Sequence, residues 1–243
     1  MKARGWRIAA ASIGLAASAV LVVALAWLWF LHWQPDRTRY PLRGIDVSHH
    51  QGAIDWRAVA ADDVAFAYLK ASEGGDHRDR RFDRNRREAR AAGLAVGAYH
   101  FFTWCKPGAE QALNFIAAAP PDADALPPAL DLEFGGNCGR SPDGVQLRRE
   151  LDTYLALVEA AYGRPVLLYV TPEFFAAHRL DLPARALWRR RIVRAPDASA
   201  RWTLWQYHNR GSVPGIDGPV DLNVFAGDAA AFAQWRALRA TSP

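Results

Sequence analysis

The chain has 243 residues, 51% of them hydrophobic, and a formal net charge of +5. Once the apolar N-terminal segment is set aside, the remaining length suits one sizeable core and is short for two. The basic charge, almost all arginine, is not accompanied by a zinc-finger spacing, a P-loop or an RNA-recognition signature, so no nucleic-acid partner is expected.

An apolar helix is the first predicted element, over residues 8–31. Its 24 residues carry no charge, and at about 1.5 Å per residue they span a hydrocarbon core of about 30 Å. Basic residues precede it, so we expect the N-terminus to stay in the cytoplasm. The predicted organisation is a cytoplasmic basic N-terminus (1–7), a transmembrane signal anchor (8–31), a linker (32–42) and an exported domain (43–243).

A cleaved signal peptide is the alternative interpretation of this segment. Ala17-Ser18-Ala19 resembles a cleavage site, but it lies in the middle of the segment and a strongly apolar run follows it. We therefore favour an inner-membrane protein with one span, whose domain faces the periplasm or another extracytoplasmic space. Cleavage would make the domain secreted, and in both cases it is exported.

Strand-like and helix-like segments alternate from residue 44 onward, and repeated strand–helix units favour a parallel sheet. About eight strands predict an α/β fold, a TIM-like barrel whose last turns have lost their helices. An open doubly wound sheet is the alternative, but no glycine-rich dinucleotide loop follows the first strand. The predicted strands are Gly44–Ser48, Ala65–Ala71, Val96–Phe102, Pro128–Phe134, Val166–Val170, Ala186–Val193, Thr203–His208 and Val220–Phe225, and the predicted helices are Phe82–Ala92, Pro107–Ala118, Val145–Tyr162, Pro172–His178 and Asp228–Ala240.

Arginines cluster in two places along these elements. The first cluster interleaves with Asp79, Asp83 and Glu88, which is typical of a solvated helix face. Binding to nucleic acid or to another anionic polymer is the alternative. The clusters consist of Arg78, Arg80, Arg81, Arg84, Arg86, Arg87 and Arg90, and of Arg189, Arg190, Arg191 and Arg194.

Two carboxylates lie close together on the predicted strand Pro128–Phe134. Because side chains alternate along a strand, Asp131 and Glu133 point the same way, roughly 6–7 Å apart, and Phe134 points the other way. Desolvation and mutual repulsion raise the pKa of at least one of them, which keeps a carboxylic acid protonated for general-acid catalysis. The alternative is a strand end that leans into solvent, where the two acids cap the following loop.

In a barrel of this kind, chemistry collects at the carboxyl ends of the strands. Asp46 on the first strand and Asp221 on the last are expected to join the pair, so that four acids from three strands meet in one mouth. Carboxylates among aromatic rings suit a sugar, and glycoside hydrolysis needs two carboxyl functions, or one plus a participating substrate group. The other side chains expected at this mouth, where they would bind the substrate, are Lys70, Tyr99, Trp205, Gln206, Tyr207 and Asn223.

A metal site is another use of an acid cluster. No standard calcium loop is present, and His49 and His50, as neighbours at a strand end, are expected to point apart. His100 is expected to be a satisfied core histidine, and Lys70 an ion-pair partner that holds one of the acids ionised. We therefore expect neither a metal nor another cofactor.

Cys105 and Cys138 are the two cysteines of the chain. Export would place them in an oxidising compartment, where an even pair tends to form a bridge. Each follows a predicted strand by a few residues, so both are expected at the same end of the barrel. A disulfide between two active-site loops is predicted, and two free thiols are the alternative.

Seven short motifs lie in order along the exported part: Gly44-Ile45-Asp46-Val47-Ser48 with Gln51-Gly52 and Ile54-Asp55-Trp56, Lys70-Ala71-Ser72-Glu73-Gly74, Gly97-Ala98-Tyr99-His100-Phe101, Asp131-Leu132-Glu133, Leu167 with Tyr169, Trp205-Gln206-Tyr207, and Val220-Asp221-Leu222-Asn223. In this order they resemble the glycoside hydrolase family 25 lysozymes, the Chalaropsis-type N-acetylmuramidases. The resemblance runs from about residue 43 to about residue 226. One such motif would be weak evidence, whereas seven in family order are a strong signal.

The resemblance implies a barrel of eight strands with about five helices, and hydrolysis of the β-1,4 bond between N-acetylmuramic acid and N-acetylglucosamine in peptidoglycan. Glu133 matches the general acid. Asp131 matches the acid that assists it, either by stabilising positive charge or by orienting the acetamido group of the substrate. The retaining outcome of the family can use a carboxylate nucleophile or the acetamido oxygen, and both remain open.

The other site residues follow from the same resemblance. Asp46 and Asp221 match the remaining site acids, and Tyr99 and Trp205 match aromatic residues that contact sugar. The expected partners are peptidoglycan glycan strands and, through the N-terminal helix, the membrane; the domain is expected to be a monomer. A non-catalytic glycan-binding barrel is the alternative function, but binding alone has little need for a protonated carboxylic acid.

One segment departs from the family pattern. Residues 187–194 carry four arginines where the family usually reads Leu-Trp-Ile-Ala. The segment lies in the groove wall near the sixth strand. The added positive charge indicates affinity for an anionic wall polymer or for peptide carboxylates.

Overall fold

The chain forms two compact units, with the division between Gln34 and Pro35. The structure, a computed structural model, describes residues 2–139, 143–179, 181–197 and 202–238. Helix α1 (Lys2–His32) accounts for most of the first unit. Its stretch Gly14–His32 is long and apolar enough to cross a membrane, a test that a signal sequence also passes. The helix therefore supports either a membrane anchor or a signal peptide.

The second unit is a closed barrel of eight strands within the described residues, which confirms the predicted fold class. The first seven strands of the barrel are parallel to one another, and the last strand closes the ring antiparallel to both of its neighbours. A short ninth segment, β3, pairs with the C-terminal end of β2. The strands are β1 (Arg43–Val47), β2 (Val64–Glu73), β3 (His77–Arg78), β4 (Ala95–Phe101), β5 (Ala129–Leu132), β6 (Leu167–Val170), β7 (Leu187–Arg190), β8 (Leu204–Gly211) and β9 (Val220–Phe225).

Helices connect the early strands, and their ends follow local capping chemistry. The Asp143 carboxylate accepts a hydrogen bond from the Gln146 amide at 2.7 Å and begins the longest of them, which ends at Gly163 in the left-handed conformation. Beyond β7 the described residues contain no helix until the last one, as the change of pattern predicts. The helices are α2 (Trp56–Ala61), α3 (Phe82–Ala91), α4 (Gly108–Ala118), α5 (Gly144–Tyr162), α6 (Pro172–His178) and α7 (Ala229–Ala237), with a 3₁₀ turn at His49–Gln51.

Aromatic side chains fill the inside of the barrel. The Trp188 ring lies 5.0 Å from the Tyr68 ring and 5.0 Å from the Tyr169 ring, measured between centroids, and all three are buried. A Cβ atom at Gly97 would overlap the Tyr68 ring, which explains why glycine begins the Gly97–Phe101 motif. Each ring contributes about 1.5–3 kcal/mol by burial. The strand ends therefore stand over a packed floor and not over a pore.

The end of β5 differs from the prediction. The strand stops at Leu132, so Glu133 and Phe134 lie beyond it. Phe134 is 37% exposed and packs against the rings of Trp104 and Phe174, and it does not continue the apolar side of the strand. The strict alternation expected for Pro128–Phe134 thus ends one residue before Glu133.

The first arginine cluster forms a solvated helix face, as predicted. On α3, Arg84 pairs with Glu88 at 2.8 Å and Arg86 with Asp83 at 3.4 Å. Arg90 reaches Asp122 at 2.6 Å. Because acidic partners lie within one turn or on the adjacent loop, the helix does not present an unbroken basic surface.

Candidate active site

The carboxyl ends of the strands surround a cavity of about 580 Å³. All four predicted acids line it: Asp46 from β1, Asp131 from β5, Glu133 just beyond β5, and Asp221 from β9. Asp46 and Asp221 pair directly across the β1–β9 ladder that closes the barrel. The predicted residues Lys70, Tyr99 and Gln206 also line the cavity.

Asp46 is held by two side-chain amides. Its Oδ2 atom accepts hydrogen bonds from Asn223 Nδ2 at 2.7 Å and from Gln206 Nε2 at 3.0 Å. The amide oxygens are fixed in turn: Trp188 Nε1 donates to Asn223 at 2.8 Å, and the Tyr169 hydroxyl donates to Gln206 at 3.0 Å. The carboxylate thus stands on the aromatic floor in a set orientation.

Burial raises the pKa of Asp46 to about 6, and the hydrogen bonds from Asn223 and Gln206 oppose that rise. Asn223 is fully buried beneath Asp46, so its amide acts through the carboxylate and not as the predicted direct substrate contact. Burial also raises the pKa of Asp221 well above its usual range, and the charges of Asp46 and Glu133 add to the effect.

Asp131 lies on β5, deeper in the mouth than Glu133. Its register partners are Phe101 on β4 and Tyr169 on β6. Burial raises its pKa well above the usual range, and the charges of Glu133 and Asp46 add to this while Lys70 opposes it. The buried Oδ1 atom has no hydrogen-bond partner among the described residues. An unsatisfied buried polar atom of this kind costs about 1–3 kcal/mol.

Glu133 lies at the wall of the cavity, with 25% of its side chain exposed. Burial raises its pKa, and the charges of Asp46 and Glu173 do the same, while Arg190 and Lys70 act in the opposite direction. Close acids titrate as a coupled group. The mouth therefore retains protons at pH values where isolated carboxyl groups have lost theirs.

Asn137 holds the loop that carries Glu133. Its Nδ2 group donates to the carbonyl oxygens of Phe102 at 2.7 Å and of Glu133 at 3.2 Å. Its Oδ1 atom accepts from the amides of Trp104 at 3.1 Å and of Cys138 at 2.9 Å. One side chain thus joins the loop after β4 to the loop after β5, a role with no evident signal in the sequence.

The structure contains the predicted disulfide between Cys105 and Cys138. It joins the same two loops, beside the cavity. Closing a loop of this length contributes about 3–4 kcal/mol on a chain-entropy model. Together with Asn137, the bond limits how far the backbone at Glu133 can move.

Lys70 pairs with Glu73 and not directly with one of the four acids. Its Nζ atom lies 2.7 Å from Glu73 Oε2, and the ammonium stands 4.8 Å from the centre of the Phe101 ring. Its charge nevertheless lowers the pKa of both Asp131 and Glu133. Lys70 therefore forms an ion pair with an acid, as predicted. The partner is Glu73, a fifth carboxylate at the mouth, and not one of the four predicted acids.

Trp205 and Tyr207 lie outside the mouth, so the structure does not support their predicted contacts with sugar. Trp205 is 1% exposed, and its Nε1 group donates to the Arg191 carbonyl at 2.6 Å. The physical reason is strand alternation: because Gln206 points into the barrel, the residues on either side of it point outward. Applied to the Trp205-Gln206-Tyr207 motif, the same rule shows that the three side chains cannot all face the substrate, but it does not say whether Gln206 or its two neighbours do so.

Alternation also shows which wall residues the sequence reasoning missed. Tyr169, Trp188 and Arg190 all line the cavity. Trp188 and Arg190 are two residues apart on β7 and point inward together, whereas the Arg189 guanidinium lies 3.8 Å from the centre of the Phe175 ring. The run of arginines hid this difference, because composition alone does not give the parity of each position.

The histidines divide between the site and the core. His49 and His50 do not point apart as expected, because the 3₁₀ turn places their ring centroids 4.0 Å apart. His49 Nδ1 lies 3.0 Å from Asp79, and His50 lines the cavity. His100 is a satisfied core residue as predicted, and burial lowers its pKa to about 3.

No group of three or more His, Cys, Asp or Glu side chains within the described ranges has the arrangement of a metal site. The absence of a metal or other cofactor stays a prediction. The chemistry available at this mouth is that of coupled carboxyl groups above an aromatic floor.

Comparisons with known proteins agree with this geometry. The family model described as Glycosyl hydrolases family 25 matches residues 45–216. Lysozyme M1 of Streptomyces globisporus is 35% identical over 208 residues, which cover 78% of this chain and 69% of that protein.

Solved structures give the same result. A family 25 glycosyl hydrolase from Bacillus anthracis is similar with a TM-score of 0.78 and 35% identity, covering 84% of this chain and 96% of that one. The bacterial lysozyme from Streptomyces coelicolor is similar with a TM-score of 0.70 and 31% identity, covering 81% and 97%.

Proposed function

The chain belongs to glycosyl hydrolases family 25, and from this premise we propose that it is a peptidoglycan hydrolase that cleaves the β-1,4 bond between N-acetylmuramic acid and N-acetylglucosamine. Family membership makes it a glycoside hydrolase. The observation that carries the specific proposal is the pair Asp131 and Glu133, which line one cavity with Asp46 and Asp221 and have raised pKa values.

Position favours Glu133 as the proton donor. Burial raises the pKa of both members of the pair, so protonation alone does not separate their roles. Glu133 lies beyond β5 at the cavity wall, where a glycosidic oxygen can reach it, whereas Asp131 lies on the strand below. Glu133 would protonate the leaving oxygen as positive charge develops on the sugar ring.

Asp131 is the assisting acid in this proposal. Its side chain lines the cavity, where an N–H donor of the substrate, such as an acetamido group, can approach the carboxyl group. A carboxylate there would either stabilise the developing charge or orient the acetamido oxygen for attack. Asp46, held by neutral amides, and Asp221 complete the set of carboxyl groups around the reacting carbon.

Helix α1 supports the proposed location. As a signal anchor it would hold residues 43–243 outside the inner membrane, in the periplasm, close to the glycan strands. Residues 1–7 would stay in the cytoplasm, and residues 32–42 would form the linker. The domain would act as a monomer, because one chain supplies all four acids. Resistance of the domain to protease added outside intact spheroplasts would contradict this orientation.

The identity of the new chain ends tests the reaction. Purified peptidoglycan is digested with the full chain, and the products are reduced with borohydride and analysed by mass spectrometry. A muramidase gives new reducing ends on N-acetylmuramic acid. New reducing ends on N-acetylglucosamine would contradict the bond assignment, and bound but uncut glycan would indicate a binding barrel.

A further inference from the structure

Arg190 is the one arginine of the β7 segment Leu187–Arg190 that lines the cavity. Its neighbours point elsewhere: Arg189 stacks on Phe175, and Arg191 pairs with Asp197 at 3.0 Å. The mouth thus receives a single guanidinium from a segment rich in positive charge. Only β6 lies between β7 and β5, so Arg190 comes near Glu133 just beyond the end of β5.

The guanidinium lies between two glutamates at unequal distances. Arg190 Nη2 is 2.5 Å from Glu173 Oε1 on α6, and Arg190 Nη1 is 3.9 Å from Glu133 Oε2. Charge-assisted hydrogen bonds are about 2.7–2.9 Å long, so the contact with Glu133 is electrostatic only. The close partner is thus the more exposed Glu173 (55%, against 25% for Glu133), although burial would strengthen the other pair.

We propose that Arg190 is a positioning residue that acts through Glu133, and that Glu173 holds Arg190 back from a close ion pair with this acid. The proposal rests on the proposed role of Glu133 as proton donor. A close ion pair would keep Glu133 ionised and remove the proton that the reaction needs. A guanidinium fixed at a greater distance instead limits how tightly Glu133 holds its proton, so that it can be donated near neutral pH.

The two partners therefore act on Glu133 with opposite signs. Arg190 lowers the pKa of Glu133, and Glu173 raises it. A general acid must be protonated, so activity is lost as pH rises through its pKa. The other titratable or charged side chains that line this mouth stay the same when either partner is changed: Asp46, His50, Lys70, Glu73, Tyr99, Asp131, Tyr169 and Asp221.

The test compares three single variants of the full chain in mild detergent. The substrate is soluble, uncrosslinked glycan from peptidoglycan, and kcat/KM is measured against pH from the release of reducing ends. For Arg190→Gln the alkaline limb of the profile should move to higher pH. For Glu173→Gln it should move to lower pH. Arg189→Gln, with the same charge change on the outward side of β7, should leave the limb in place.

Opposite shifts in the first two variants support the proposal, and Arg190→Lys should return most of the shift because it restores the positive charge. Unmoved limbs, or shifts in the same direction, would overturn it. Glu173→Gln carries the test even if Arg190→Gln folds poorly, since Glu173 is largely exposed and its replacement keeps the shape of the side chain. Circular dichroism on each variant reports folding.

Glu133→Gln separates this proposal from the proposed function. If Glu133→Gln keeps activity and the alkaline limb, Glu133 is not the proton donor, and the proposed roles of Glu133 and of Arg190 both fail, while the product ends still decide whether the protein is a muramidase. If Glu133→Gln abolishes activity while the limbs of the Arg190 and Glu173 variants do not move, the proposed function stands and only the role of Arg190 is refuted.

Discussion

The two sides of the active-site mouth hold their acids by different means. On the β1–β9 side, Asp46 is fixed by the neutral amides of Asn223 and Gln206, which stand on the buried aromatic floor. On the β5–β7 side, Glu133 is placed by a loop and approached by a guanidinium at 3.9 Å. Neutral amides orient a carboxylate without adding a charge, whereas a nearby arginine acts on its protonation. In the proposed mechanism, this difference would fix the direction of the Asp46 carboxylate and tune the proton of Glu133.

The largest expected effect comes from the proton on the β5–β7 side. Glu133→Gln keeps the shape of the side chain but cannot donate an acidic proton. General-acid catalysis contributes about 10²–10⁴-fold, so the rate of glycan cleavage should fall by about that factor with the thermal unfolding midpoint little changed. Reducing-end release from purified peptidoglycan measures it. Cleavage at the wild-type rate would show that the proton donor is not Glu133 on the β5–β7 side.

The disulfide tests how much the β5–β7 side depends on its loop. Replacing Cys105 and Cys138 together by serine should lower the free energy of unfolding by about 3–4 kcal/mol on the chain-entropy model. Urea denaturation of the variant and of the wild type, both without reductant, checks this. Equal stability of the two proteins would mean that the covalent link contributes nothing to the loops.

Asp46 provides the pH test on the other side. Its folded pKa of about 6 lies above the unfolded value of about 3.9, so the folded state binds the proton more tightly. Stability from this group is therefore present below about pH 4 and is lost as pH rises through about 6. At 1.36 kcal/mol per unit the effect is on the order of 3 kcal/mol.

Asp46→Asn removes that titration, and the comparison with wild type should show it. The unfolding free energy of the variant, relative to wild type, should be higher at pH 7.5 than at pH 4. Denaturation at several pH values measures the difference. A stability difference that stays constant across this pH range would contradict the raised pKa of Asp46. If the variant also lost activity, Asp46 would act in catalysis alone.

The smallest expected effect concerns the two amides. Asn223→Ala leaves the indole N–H of Trp188 without its partner and takes one donor from Asp46, so the unfolding free energy should fall by about 1–3 kcal/mol. Gln206→Ala is the matched variant, since it removes the other donor and frees the Tyr169 hydroxyl. Similar losses in both would show that the amide pair works as one network. A loss of stability in Gln206→Ala alone would show that the two amides do not contribute equally.

Much of the barrel was predictable because local patterns are strong there. Alternating strand-like and helix-like segments predict the order of elements, and helix α5 ends at Tyr162, as the sequence predicts. The end of β5 was not predictable, since Glu133 and Phe134 continue the expected alternation by residue type. The Asn137 side chain binds the carbonyl oxygens of Glu133 and of Phe102 at this point. Phe102 is 35 residues from Asn137 in the sequence, and no local pattern predicts this contact.

The candidate site divides in the same way. Residue types and motif order indicated Asp46, Asp131, Glu133 and Asp221 as one group, and the structure brings them to one cavity. The outward positions of Trp205 and Tyr207 follow from alternation once Gln206 is known to point inward. The motif by itself does not say which of its three residues faces the substrate.

The sequence by itself determined the family, the alternating strands and helices and the four acids, because each depends on local periodicity or on short motifs. The tertiary structure decided which arginine of the β7 segment reaches the mouth and which glutamate it pairs with. Those pairings join β5, α6 and β7 through distances of a few ångströms. Electrostatic interactions change steeply over such distances, and only the closed barrel fixes them.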